Sequence, residues 1–91
     1  MKEIHHATAH FQGHVQGVGF RYAVLEVARG FEVAGFVENL PDGRVHLEVE
    51  GAEPELEAFI AAIEAKMLGY IRKTERHLRV RPAQFQGFSI H

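Results

Sequence analysis

Val33-Ala34-Gly35-Phe36-Val37-Glu38-Asn39, then Leu40-Pro41-Asp42-Gly43, then Arg44-Val45-His46-Leu47-Glu48-Val49-Glu50 is the stretch whose reading decides the fold. Pro pre-sets one turn dihedral, Asp bonds its own backbone, and Gly accepts a positive φ, so residues 40–43 read as a tight turn. The flanking runs are rich in β-branched and aromatic residues, which predicts a β-hairpin. In its second strand Val45, Leu47 and Val49 share one face, expected inward, and His46, Glu48 and Glu50 the other, expected outward.

Before the hairpin, Ile4 to Gly13 alternates in the same way. Ala7, Ala9 and Phe11 point one way and His6, His10 and Gln12 the other, together with Thr8, which is the pattern of a half-buried strand. Phe20, Val24, Val27, Ala28 and Phe31 then recur at helical spacing, predicting about three turns with Gly30 at the C-terminal stop. After the hairpin, Gly51 ends a strand and Pro54 suits the first turn of a second helix. Leu56, Phe59, Ile60, Ile63 and Met67 form its buried stripe, Glu53, Glu55 and Glu57 complement its dipole, and Gly69 follows as the stop. Tyr70 to Arg81 reads as a strand blurred by charge and broken by Pro82, and Phe85 to Ile90 as a short closing strand with Phe88 and Ile90 on one face.

The order predicts an α+β, ferredoxin-like β-α-β-β-α-β sandwich: an antiparallel sheet, two helices on one face, and a short extra C-terminal strand. Ninety-one residues leave room for one core, so residues 1–91 are expected to form a single domain. There is no cysteine, which excludes disulfide and thiolate chemistry and suits a reducing cytoplasm. The opening Met1-Lys2-Glu3-Ile4-His5-His6 lacks the apolar core of a signal peptide, and no apolar run approaches the ~20 residues that cross a bilayer. A net charge of −2 gives no reason to expect nucleic acid or an anionic membrane as partner. The expectation is a cytoplasmic protein and a monomer.

The chemistry concentrates in Gly13-His14-Val15-Gln16-Gly17-Val18-Gly19-Phe20-Arg21, after a strand and at the opening of a helix. Such a loop aims backbone N–H groups into a concavity backed by the positive end of a helix dipole, which suits an anion. Gly17 and Gly19 admit close approach or positive φ. Arg21 carries a planar fork that can hold two phosphate oxygens at once. Neither the nucleotide P-loop pattern nor the dinucleotide Gly-x-Gly-x-x-Gly spacing is present. Taken alone, the glycines favour a plain strand-to-helix turn with Arg21 as a solvated first-turn residue, and Asn39 reads as a turn residue before Pro-Asp-Gly.

Val15-Gln16-Gly17-Val18-Gly19-Phe20-Arg21 resembles the phosphate-loop signature of the acylphosphatase family almost letter for letter. Gly35-Phe36-Val37-Glu38-Asn39-Leu40-Pro41-Asp42-Gly43-Arg44-Val45 resembles its second signature, and Phe88-Ser89-Ile90 its closing strand. The resemblance spans the chain and implies a metal-independent acylphosphatase without cofactor. Its substrate would be a small acyl phosphate, cleaved to a carboxylate and inorganic phosphate, the latter also a competitive inhibitor. It implies substrate binding by Gln16, Gly17, Val18, Gly19, Phe20 and Arg21, with Arg21 and Asn39 catalytic, Asn39 orienting the attacking water. Two positions depart from the family: His14, where arginine is frequent, and Met67-Leu68-Gly69-Tyr70-Ile71-Arg72-Lys73, where Gly and Pro are common.

Three other patterns compete for attention. His6, His10 and His14 fall on one parity of the first strand, with His46 on the same sheet face, and could capture zinc or nickel. Solvated histidines on an uncovered sheet face account for them as well, and no metal is assigned. Arg72, Lys73, Arg76, Arg79 and Arg81 make the last segment basic, and the acidic 45–69 region balances it. Such a basic segment on a ferredoxin-like sheet would suit RNA if strand aromatics were free to stack bases, but most lie on the core parity. The main rival is a domain of the same fold that binds phosphate or carbamoyl phosphate without turnover, as related domains do inside larger maturation proteins. Retention of both Arg21 and Asn39 favours the enzyme.

Overall fold

A computed structural model describes residues 3–91; Met1 and Lys2, which open the chain, lie outside the described residues. Seven elements follow in the expected order: β1 (Glu3–Gly13), α1 (Phe20–Ala28), β2 (Val33–Asn39), β3 (Val45–Gly51), α2 (Glu53–Lys66), β4 (Ile71–Pro82) and β5 (Phe88–Ile90). They build one sheet in the order β4-β1-β3-β2-β5. β1 runs antiparallel to both β3 and β4, and β2 antiparallel to β3. Among the described residues only β5 pairs in parallel, on the outer edge of β2, so the sheet is mixed at that edge. α2 packs on β1 and β3, and α1 on β2 and β5, leaving both helices on one face.

The alternation in the sequence sets what is buried between them. Ala7, Ala9 and Phe11 of β1 and Val45, Leu47 and Val49 of β3 join Val24 of α1 and Leu56, Phe59, Ile60 and Ile63 of α2 in one core. A register slip of one residue would turn either strand's apolar set out to water, so the pairing Ala7↔Val49, Ala9↔Leu47, Phe11↔Val45 is strongly specified. Gly35 is needed at the β2–β3 seam. A Cβ there would collide with the Glu48 carbonyl and come within 2.9 Å of Val49 Cα.

Several boundaries move. α1 is shorter than its periodicity suggests, ending at Ala28 with Arg29 as a right-handed C-cap. Gly30 keeps a negative φ; its N–H and those of Arg29 and Phe31 turn back to the carbonyls of Val27, Glu26 and Ala28, so tight turns rather than a left-handed glycine end the helix. Phe31 still reaches the core from the loop, packing against Phe59 with ring centroids 5.9 Å apart. β4 runs unbroken through the charged stretch to Pro82, as an edge strand whose residues are mostly exposed. An edge strand tolerates such residues because it has one neighbour only.

The expectation of an uncovered sheet face with solvated histidines is corrected. His6 is fully buried, and Thr8 and Glu50 nearly so. Topology is the cause. β4 and β5 lie at opposite edges, four strand spacings or about 19 Å apart at about 4.8 Å each. From Pro82 to Phe88 the chain can reach roughly 20 Å, so it must cross nearly extended. The helices occupy one face, so residues 83–87 cross the other. Phe85 stacks on His6 (5.9 Å) and meets Phe36 edge-on (5.8 Å). The Glu50 carboxylate accepts the N–H groups of Gln84 (2.8 Å) and Phe85 (2.9 Å), pinning the crossing.

Candidate active site

β1 ends where its pairing with β4 shifts register at Gln12/Gly13, and the His14 N–H donates to the Tyr70 carbonyl at 2.8 Å. From that anchor residues 14–19 form an irregular loop, with buried Val15 holding it to the core. Gly17 and Gly19 take φ of 78° and 77°, the left-handed region, with open space where a Cβ would stand. Residues with a side chain rarely adopt that backbone, which glycine takes without a steric cost.

Gly19 is also the N-cap of α1, with no side-chain cap and no acidic residue in the first turn. The first helical bond runs from the Ala23 N–H to the Gly19 carbonyl at 3.0 Å. The amides of Phe20, Arg21 and Tyr22 therefore have no intrahelical acceptor. A helix start that lacks both a cap and an acid keeps its partial positive charge for a ligand.

A hollow of about 160 Å³ opens at this place, lined by Val15, Gly17, Gly19, Phe20, Arg21, Tyr22 and Asn39. Arg21, from the first turn of α1, and Asn39, the last residue of β2, thus border the same small cavity. Arg21 Nη1 donates to the main-chain oxygen of His91 at 2.9 Å, which tethers the guanidinium. His91 is in turn held by its N–H on the Val37 carbonyl (2.8 Å) and by its ring, stacked on Phe36 at 4.4 Å. The closing strand therefore reaches the site, a link that no local sequence pattern signals.

The Asn39 side of the hollow rests on the hairpin. Leu40 N–H donates to the Arg44 carbonyl (2.9 Å) and Gly43 N–H to the Leu40 carbonyl (3.1 Å). The Arg44 N–H donates to Asp42, and together with the Arg44 guanidinium holds the exposed Asp42 carboxyl below its usual range. Asp42 serves the turn, as its sequence position suggests.

Two of the expected loop residues do not line the hollow. Val18 is half-buried and packs against the core. Gln16 sends its amide nitrogen to two hairpin carbonyls, Leu40 at 2.8 Å and Arg44 at 3.0 Å. Two others that the sequence did not single out, Val15 and Tyr22, do line it. Tyr22 is mostly exposed; it is the third residue of α1, in the same first turn as Arg21, and its adjacency to Arg21 in the chain was the signal that could have found it.

Behind the sheet, the histidines bind each other and carboxylates. Glu48 is contacted by His6, by His46 Nε2 (2.6 Å) and by the Thr8 hydroxyl, which donates at 3.0 Å. Burial works to raise the Glu48 carboxyl, but these hydrogen bonds outweigh it and hold the group below the ordinary carboxylate range. His46 Nδ1 lies 2.8 Å from Glu38, and His10 stacks on His46 at 4.8 Å. Burial first, then the neighbouring His46 and Arg44, push the His10 imidazole down. His14 stands apart, tilted against Tyr70. Phe36 and Phe85 lie on this face too, but they pack on each other and on histidines.

A family model described as Acylphosphatase matches residues 7–90. The chain is 42% identical over 78 residues to the acylphosphatase of Methanospirillum hungatei, covering 86% of this chain and 84% of that one. The crystal structure of acylphosphatase from Bacillus subtilis superposes with a TM-score of 0.76 at 30% identity, over 96% of this chain and 98% of that one. HypF from T. kodakarensis superposes with a TM-score of 0.79 at 33% identity, over 99% of this chain but 12% of the longer protein.

Proposed function

This chain belongs to the acylphosphatase family and is an acylphosphatase, a hydrolase; from that premise we propose how its own residues cut the carboxyl–phosphate bond of an acyl phosphate. The observation that carries the reading is the single hollow bordered by Arg21, by Asn39 and by the uncapped start of α1. The phosphoryl group sits among the amides of residues 16–21, with two of its oxygens on the Arg21 fork. Asn39 holds a water through its side-chain amide on the far side of phosphorus. The water oxygen bonds to phosphorus in line as the acyl oxygen departs as a carboxylate, and the water's proton passes to a phosphate oxygen or to solvent.

A carboxylate is a good leaving group, so no strong general acid is required. Positioning of the water and stabilisation of charge on the equatorial oxygens supply the rate. Arg21 and the helix start provide the positive charge that a metal ion provides in other phosphoryl-transfer sites, hence the proposal that turnover is metal-independent. Inorganic phosphate fills the same cradle and competes with substrate. Residues 1–91 are proposed to be one acylphosphatase-like domain, consistent with its coverage of most of the M. hungatei relative.

The test is hydrolysis of benzoyl phosphate by protein treated with EDTA. The expected result is undiminished turnover, inhibited competitively by phosphate, with Asn39→Ala losing turnover while still binding phosphate. Phosphate binding with no hydrolysis by the unaltered chain would favour the binding-domain alternative. Equal loss of binding and turnover in Asn39→Ala would refute the role given to Asn39.

A further inference from the structure

The two halves of the proposed site stand on different elements. The phosphate cradle belongs to the β1–α1 loop, and Asn39 to the end of β2. The loop carries two glycines in the left-handed region, and Asn39 is exposed at the mouth of a hairpin. Among the described residues, no intramolecular hydrogen bond holds the Asn39 amide. The distance between the irregular loop and the strand end matters to the chemistry, because a reacting geometry about 1 Å out can cost ~100-fold in rate.

We propose that the Gln16 side chain sets that distance: a positioning residue that struts the phosphate loop against the β2–β3 hairpin and so places Asn39 over the bound phosphoryl group. Its nitrogen donates to the Leu40 carbonyl at 2.8 Å and the Arg44 carbonyl at 3.0 Å. Leu40 directly follows Asn39, and Arg44 directly precedes Val45, the cross-strand partner of Asn39. Each of these carbonyls already accepts one hairpin N–H, from Gly43 and Leu40 respectively, so Gln16 fills the second acceptor site of both. The strut therefore grips both legs of the hairpin beside Asn39.

The chemistry selects glutamine. One NH₂ group carries two N–H donors, which is what two carbonyls on either side require. A glutamate would oppose carboxylate oxygens to carbonyl oxygens, an asparagine falls one methylene short, and a methionine keeps the length but donates nothing. The function of Gln16 is thus separate from phosphate binding, to which the loop contributes through its backbone.

The inference rests on the catalytic reading of Asn39, and the experiment separates the two. Turnover number, KM for benzoyl phosphate and the inhibition constant of inorganic phosphate are measured for Gln16→Met, Asn39→Ala and the double variant, with thermal unfolding of each. Gln16→Met is expected to lower kcat by about 10- to 100-fold, with the phosphate inhibition constant moving less than about threefold. In the Asn39→Ala background the same change is expected to cost less than about twofold, since the group it positions is gone. Loss of phosphate affinity in step with kcat, a full penalty in the double variant, or an unchanged kcat in Gln16→Met would each overturn the inference. Near-normal turnover in Asn39→Ala alone would instead overturn the role of Asn39. If Gln16→Met does not fold, Gln16→Glu serves: its kcat is expected to recover partly as the pH is lowered and the carboxyl gains an O–H donor. A Gln16→Glu profile parallel to that of the unaltered protein counts against the strut.

Discussion

Replacing Arg21 by glutamine separates binding chemistry from folding, because among the described residues this side chain makes one intramolecular hydrogen bond. That bond, to the main-chain oxygen of His91 at 2.9 Å, lies at an exposed place. Its loss should cost about 1 kcal/mol or less, a fall in Tm of under roughly 8 °C for a domain of this length. On the ligand side the fork is proposed to make two hydrogen bonds to phosphate oxygens. Bonds to charged groups contribute about 1.5–3 kcal/mol each, so their joint loss is about 3–6 kcal/mol. At about 1.36 kcal/mol per factor of ten, kcat/KM should fall by roughly 10²- to 10⁴-fold. Arg21→Lys keeps the charge but loses the fork and should fall between the two. The assay is benzoyl phosphate hydrolysis over a range of inorganic phosphate, beside thermal unfolding followed by circular dichroism. A loss of less than tenfold with phosphate inhibition intact would refute the assignment of Arg21 to the phosphoryl group. A collapse of Tm with little change in kcat/KM of the folded fraction would make Arg21 a structural clasp for the closing strand.

The pH dependence of stability should carry the mark of Glu48. Its carboxyl titrates lower when folded than when unfolded, so the stabilisation it supplies is whole above the unfolded value and drains as pH falls through the folded one. Glu48→Gln should therefore show a flatter loss of Tm between about pH 5 and pH 3 than the unaltered protein, and parallel curves would contradict the hydrogen-bond network. The two kinds of glycine should also part company. Gly35→Ala drives a methyl into the Glu48 main chain and should cost about 3 kcal/mol or more, read by urea unfolding. Gly19→Ala meets open space but keeps a φ of 77° and should cost about 1–2 kcal/mol; equal costs would mean that the β2–β3 seam yields more easily than its contacts indicate.

The loop from Gly13 to Arg21 and the hairpin around Pro41-Asp42-Gly43 were legible because their information is local. Glycines at the loop, turn chemistry at the hairpin and alternation in β1 and β3 each act within a few residues. The closing β5 and the charged β4 were harder to bound. β4 owes its strand form to pairing with β1 over eleven positions, not to a pattern of its own. The helix stripe of α1 overran its end because Phe31 keeps the spacing while leaving the helix.

By itself the sequence determined which elements form and which of their faces pack against the helices. Tertiary structure alone decided where the two edges of the sheet lie, and from that much else follows. With β4 and β5 at opposite edges and the helices on one face, residues 83–87 are forced across the other, burying His6 and Glu50 against expectation. The same geometry carries His91 to Arg21, and Gln16 to the carbonyls beside Asn39. These contacts join residues 24 to 70 positions apart. Local periodicity holds no record of such distances, because strand order, set by how the helices cover the sheet, brings them together.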